Sequence, residues 1–191
     1  MFNRYIRPSM SLLLAMTMLL GVAYPLAITG LARALFPSQA AGSLIHRGNV
    51  LVGSSLIGQS FADPKYFWGR PSATAPQPYN GLASGGSNLG PLNPALIDKI
   101  AVEVKLFHDA DPDNPRPIPV DLVTASASGL DPEISPAAAE YQASRVARAR
   151  NLPLATVDSL ISQHQSRALF DVLGEARVNV LGLNLALDSL R

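Results

Sequence analysis

The sequence predicts a single-pass membrane protein, with one N-terminal transmembrane helix followed by one mixed α/β (α+β) exported domain. Three observations predict it. Residues 8–32 carry no charged side chain and Tyr24 is their one ionisable group; a loosely alternating stretch follows at 43–58; and four apolar-periodic stretches with helix caps occupy the second half.

The uncharged run PSMSLLLAMTMLLGVAYPLAITGLA lies between Arg7 and Arg33. As a helix it reaches about 37 Å at 1.5 Å per residue, against a hydrocarbon core of about 30 Å, so one tilted crossing fits. A cleaved signal peptide is the alternative, with Arg4 and Arg7 as its basic region and Ala32-Arg33-Ala34 or Ser38-Gln39-Ala40 as a cleavage site. The run exceeds the roughly 7 to 15 apolar residues of a signal core, which favours a retained anchor. Arg4 and Arg7 on a short tail, against Arg33 alone at the far end, place the N-terminus in the cytoplasm by the positive-inside bias. The expected organisation is a cytoplasmic tail at 1–9, a transmembrane helix at 10–36 and an extracytoplasmic domain at 37–191. The absence of cysteine agrees with export without requiring it.

Inside the span, Pro25 removes an N–H and crowds the carbonyl of Gly21, so a kink is expected there. In lipid a freed carbonyl needs a neighbour, which favours packing against other helices. Ala23, Ala27, Gly30 and Ala34 recur at spacings of four, three and four, a small-residue face that would admit a close helix; the alternative is the ordinary abundance of Gly and Ala in membrane helices.

In the exported part, Ser43 to Gly58 reads as one or two strands with a turn at Gly48-Asn49. From Gly58 to Pro91 there are six glycines, five prolines and five of the twelve aromatics, without a helical period. Such a long irregular segment in a compact domain is functional or disordered, and its aromatics argue against disorder. Asn93 then caps a helix with Pro94 at its first position and a stripe of Ile97, Ile100, Val104 and Phe107. Residues 118–123 look strand-like. Ser135-Pro136 opens an Ala-rich helix to about Arg150 with an inner face of Ala139, Ala143, Val146 and Ala147. A break at Asn151 to Pro153 precedes a helix around Leu154, Val157, Leu160 and Ile161, and Asn179 caps a last one carrying Val180, Leu183, Leu187 and Leu190.

Chemistry-bearing patterns are sparse. Fifteen basic against fourteen acidic residues leave a net charge of +1, which argues against a nucleic-acid binder; Arg145, Arg148 and Arg150 read as a solvated face or as ion-pair partners. His46, His108 and His164 each stand alone, without zinc-ligand spacing. The run GLASGGSNLG at 81–90 lacks the GK[ST] ending of a phosphate loop and reads as turns. Ser126 and Ser128 lack a GxSxG setting and a nearby histidine, so they read as loop-holding groups rather than nucleophiles. No catalytic, metal or cofactor-binding constellation emerges from the residues, which points to an accessory subunit more than an enzyme.

Three long motifs in order carry a family resemblance: GQSFADPKYFWGRPSATAPQPYNGLASGGSNLGPLNP at 58–94, VTASASGLDPEISPAAAEYQASRVARARNL at 123–152, and VNVLGLNLALD near the end. With the YPL of the span, they resemble the C subunit of the Kdp-type potassium-transporting ATPase, a bacterial high-affinity potassium uptake complex. The resemblance implies a single-pass subunit of the inner membrane, with partners in a channel-like potassium-binding A subunit, a P-type ATP-hydrolysing B subunit, a small F peptide and membrane lipid. It implies a role in assembly and stability of the complex, with no cofactor of its own, ATP and potassium being handled by the complex. The alternative it carries is a catalytic chaperone that raises the ATP affinity of the B subunit through a transient B subunit, C subunit and ATP complex. The chain has no DKTG motif, so it is not the phosphorylated subunit.

As a docking surface on a partner, Tyr66, Phe67, Trp68 and Arg70, with Ser87 and Asn88 of the SGGSNL loop, are the candidates, because aromatics and Arg are enriched at interface hot spots. The competing reading packs the same aromatics into the domain's own core. The net charge is itself unevenly placed: the first 62 residues hold Arg4, Arg7, Arg33 and Arg47 and no acid. Removing Arg4, Arg7 and Arg33 from +1 leaves the exported part at +1 − 3 = −2.

Overall fold

The computed structural model describes residues 2–168, 170 and 172–190, so residues 1, 169, 171 and 191 of the expected tail and domain lie outside it. The chain divides into two units, residues 1–44 and residues 45–191.

The first unit is helical. α1 (Phe2–Met18) runs through a π-helical turn (Leu19–Ala23) into α2 (Tyr24–Leu35), followed by the short α3 (Pro37–Ala40). Of this, Arg4–Leu35 is long and apolar enough to cross a membrane, and none of its most apolar stretch is buried. Thirty-two residues correspond to about 48 Å at 1.5 Å per residue. The helical conformation therefore begins well before residue 10. The π turn sits directly ahead of Pro25: the Tyr24 N–H reaches back five residues to the Leu19 carbonyl. Gly21 lies inside that turn, and a proline that lacks the N–H for a four-residue bond is an expected neighbour of such a break.

β1 (Leu44–Arg47), which belongs to the second unit from Ile45 onward, pairs with β2 (Val50–Ser54) across Gly48-Asn49, with Gly48 at φ +62. The irregular segment comes next, and then α4 (Pro94–Ala110), α5 (Val120–Val123), β3 (Glu133–Ile134), α6 (Pro136–Arg150), α7 (Leu154–His164), β4 (Gln165–Ser166), β5 (Arg177–Asn179) and α8 (Val180–Ser189). β5 is the centre of a three-stranded antiparallel sheet, pairing Ile134 with Val178 on one side and Gln165 with Val178 on the other.

The cap chemistry explains the helix starts. Asn93, Ser135 and Asn179 each accept a backbone N–H with the side chain, from Ala95, Ala138 and Gly182. Asn151, at φ 54, ends α6 in the left-handed conformation, and Leu152 returns its N–H to the Ala147 carbonyl. α6 packs on α7, and α7 on α8. Ala139, Ala143, Val146 and Ala147 face inward as their spacing predicts, against Val157, Ile161, Leu183 and Leu187.

Two expectations fail locally. Residues 118–123 do not form a strand; Pro119 leads into the short α5, and the Asp121 carboxylate accepts both the N–H and the hydroxyl of Ser135. That tertiary bond anchors the segment and overrides its β-branched composition. Along α4, of the four stripe residues Phe107 alone is buried, and Ile97 is 59% exposed.

Candidate docking surface

Three polar side chains from two helices hold the aromatic part of the irregular segment. The Asn184 amide of α8 accepts the Phe67 N–H at 2.8 Å and donates to the Phe67 carbonyl at 2.9 Å. The Gln142 amide of α6 does the same for Trp68, at 2.9 and 3.1 Å. Arg145, 3% exposed, donates to the carbonyls of Pro64 and Tyr66 and to Gln142 Oε1, and its guanidinium lies 4.1 Å from the Trp68 ring centroid. Burial draws this guanidinium down to about 10, with Asp111 acting in the opposite sense, so it stays charged at neutral pH. A strand partner satisfies backbone groups with its own backbone; here side-chain amides do so, which lets Phe67 and Trp68 pass through the interior with their backbone N–H and carbonyl groups paired.

The expected docking residues therefore divide. Phe67, 0% exposed, and Trp68, 7% exposed, belong to the core with Phe107 and Tyr141, which removes them from any docking surface. Tyr66 is half-buried: its hydroxyl donates to Asp188 Oδ2 at 3.1 Å, and the Arg150 guanidinium lies 4.9 Å from its ring. Arg70 is half-buried and paired with Asp131 at 3.2 Å, while its Nε is buried without a partner. Ser87 is half-buried and Asn88 exposed, the latter at φ 51. In the first unit Gly21, Ala23, Pro25, Ala27, Gly30 and Ala34 are all exposed, and a Cβ added at Gly30 meets nothing within 4 Å. Ala27, Gly30 and Ala34 fall wholly within α2, whereas Ala23 closes the π turn.

The arginine cluster is not a solvated face. Arg145 is interior, Arg148 pairs with the buried Asp111, and Arg150 bridges Asp188 at 2.8 Å while donating to the carbonyls of Lys65 and Leu187. Gln142 and Asn184 were not singled out from the sequence, and Arg145 was read there only as part of the cationic cluster. Their signal is periodicity: Ala138, Gln142 and Arg145 recur at four and three within a stripe of buried alanines, and Val180, Asn184 and Leu187 do so in α8.

The first two sequence motifs also meet in space. Gly85 donates its N–H to the Ser128 carbonyl at 2.9 Å, and the Ser84 hydroxyl donates to the same oxygen at 3.0 Å. Ser72 donates to the Gly129 carbonyl at 2.6 Å and receives the Tyr79 N–H. Gly129, at φ +66, has no room for a side chain, since an added Cβ would stand 2.6 Å from the Gly85 carbonyl oxygen. Ser126 accepts the Gly129 N–H and Ser128 the Leu130 N–H, so both serines hold the loop. Tyr79 closes the arrangement by donating to the Arg70 carbonyl; burial first, then Asp131, pushes its phenol up to about 12.

Beside this framework runs a groove along α4. One cavity of about 350 Å³ is lined by Ala73, Ser87, Leu96, Val102 and Val123 among others, and a second of about 250 Å³ by Phe61, Tyr79, Leu106 and Phe107 among others. Pro71, Ser72 and Glu103 line both cavities. Among the described residues no three His, Asp or Glu side chains converge as a metal-binding group.

A helix of membrane-spanning length ahead of a mixed helix and sheet domain defines a class of chain in which the domain carries a built framework and a groove. The pattern of the family described as "KdpC: K+-transporting ATPase, c chain" matches residues 6–189, and the chain belongs to that family. It is 64% identical to the potassium-transporting ATPase KdpC subunit of Variovorax paradoxus (strain S110), over 98% of this chain and 97% of that one. It is 63% identical to the subunit of the same name from Polaromonas naphthalenivorans (strain CJ2), over 97% and 95%, and 58% identical to that of Methylococcus capsulatus (strain ATCC 33009 / NCIMB 11132 / Bath), over the full length of both.

Proposed function

We propose that this chain is the accessory subunit of an ATP-driven potassium uptake complex and that it is required for assembly and stability of the channel-like A subunit with the ATP-hydrolysing B subunit and the small F peptide. Family membership supports the setting. The observation that carries the structural role is the helix Arg4–Leu35, which is long and apolar enough to cross a membrane and has no buried residue in its most apolar stretch. Such a surface is satisfied by lipid and by the helices of other subunits. In this reading the helix crosses the inner membrane, Arg4 and Arg7 stay in the cytoplasm and the domain lies outside.

The role in this reading is non-catalytic. The serines and glycines of the two signature loops bond one another, and Arg145 and Arg150 bond backbone carbonyls, so these groups serve the fold. Direct contact of the domain with ATP, as the chaperone alternative in its simplest form requires, would place the domain on the cytoplasmic side, opposite to the charge bias of the tail.

The test is co-purification from membranes. With the full chain present, A, B and F subunits are expected to be recovered together in detergent; with the chain deleted, recovery of the A and B subunits as one complex is expected to be lost. Undiminished recovery without the chain overturns the assembly role. Protease digestion from each side of the membrane checks orientation, and cleavage of the domain from the cytoplasmic side alone overturns it.

A further inference from the structure

The groove along α4 contains a carboxylate that the fold leaves without a counterion. Six acidic residues among the described ones are not exposed: Glu103, Asp111, Asp121, Asp131, Glu133 and Asp188. Five are engaged within the chain, Asp111 by Arg148, Asp121 by Ser135, Asp131 by Arg70, Glu133 by Arg177, and Asp188 by Arg150 and Tyr66. Glu103 alone has neither a hydrogen bond nor an ion pair, and burial by itself raises its carboxyl above the ordinary range. Lys99, one helical turn earlier, also lines the first cavity and does not pair with it.

Around Glu103 exposed apolar side chains stand among charged ones, Asp98 and Lys99 in the first cavity and Arg70 in the second. Ile97 is 59% exposed, Val102 66% and Leu106 47%, on a helix whose one buried residue is Phe107. Val102 and Leu96 line one cavity and Leu106 the other, with Glu103 between them. Desolvating a carboxylate without a partner is costly, and a cation delivered with an apolar chain would recover that cost while covering the exposed side chains.

We propose that this groove is the docking site for an apolar segment of another protein subunit of the complex, and that a lysine or arginine of that segment pairs with Glu103. The proposal rests on the assembly role above and assigns a face to it. The occupant is a protein segment because exposed apolar side chains flank Glu103, and of the charged groups lining the two cavities, Asp98, Lys99, Glu103 and Arg70, Glu103 is the half-buried one without a counterion, a pattern matched by an apolar chain carrying one basic residue.

The experiment uses the full-length chain, which contains no cysteine, so Val102→Cys introduces a unique label. Its rate of modification by a membrane-impermeant maleimide is compared in the chain alone and in the complex purified with all subunits. Modification is expected to slow by about tenfold or more in the complex, as for a site from which a partner excludes water. A photoreactive residue at Val102 is expected to cross-link to another subunit. Glu103→Gln is expected to leave the thermal midpoint of the chain unchanged or raised and to weaken its retention in the complex; Glu103→Arg weakens it further. Equal modification rates while the chain co-purifies with the complex overturn the groove assignment and leave the assembly role standing. Cross-linking to a second copy of this chain or to lipid overturns the proposed occupant, and retention unaffected by Glu103→Arg overturns the ion pair. Failure of the unmodified chain to co-purify overturns the assembly role itself.

Discussion

Asn184 holds the backbone of Phe67 from both sides, its amide accepting the N–H at 2.8 Å and donating to the carbonyl at 2.9 Å, 117 residues away in sequence. Both residues are fully or almost fully buried. The bond pair ties the irregular segment to the last helix at a point where water cannot substitute for either group.

Asn184→Leu is therefore expected to destabilise the chain by about 2–4 kcal/mol, because two buried backbone groups lose their partners at once. Thermal unfolding of the full-length protein in detergent, followed by circular dichroism, checks this. An unchanged midpoint would mean that the segment is held elsewhere.

Gln142 and Arg145 grip the same segment from α6, and their removal is expected to reach Trp68, the chain's one tryptophan. Arg145→Met keeps much of the side-chain volume but leaves the carbonyls of Pro64 and Tyr66 without their donor. The expected cost is about 2–4 kcal/mol, and the fluorescence emission of Trp68 should shift to longer wavelength as water gains access.

Gly129→Ala tests the meeting of the two motif loops. A positive φ and an added Cβ 2.6 Å from the Gly85 carbonyl oxygen both oppose any side chain there. A loss of about 1–3 kcal/mol is expected, with proteolytic cleavage appearing first between residues 72 and 90.

Stability should also respond to acid through Asp188. Burial raises its carboxyl, but hydrogen bonds from Arg150 and Tyr66 lower it by more, and the net position is below 3.8. A carboxyl whose folded pKa is depressed stabilises the fold above its unfolded pKa and loses that contribution as pH falls through the folded value. Asp188→Asn is expected to cost about 1–2 kcal/mol at neutral pH. Comparing the thermal midpoints of the two proteins should show the gap narrowing as the pH drops below 3.8; a gap that persists unchanged in acid would assign the cost to packing.

Local signals carried much of the fold into view. The caps at Asn93, Ser135 and Asn179, the left-handed stop at Asn151 and the buried alanines of α6 are legible because each depends on residues within a turn or two of one another. The docking candidates were less legible. Tyr66 to Arg70 announce themselves by composition, but composition does not say whether an aromatic faces inward, and Gln142 and Asn184 decide that for Phe67 and Trp68 from two separate helices.

By itself the sequence determined the uncharged helix, the basic bias of its tail, the starts and stops of the main helices and, through three ordered motifs, the family. Those features are written in neighbouring residues, where capping, hydropathy and backbone restriction act. The tertiary structure alone decided which polar side chains replace a strand as the partner of the irregular segment. It also decided that Val120–Val123 turns into a helix under the hold of Ser135 on Asp121, and that Glu103 is, among the described residues, the half-buried acid left unpaired. Each of these depends on groups far apart in the chain, and whether a buried polar group finds its partner is settled only when the helices that carry the two are packed.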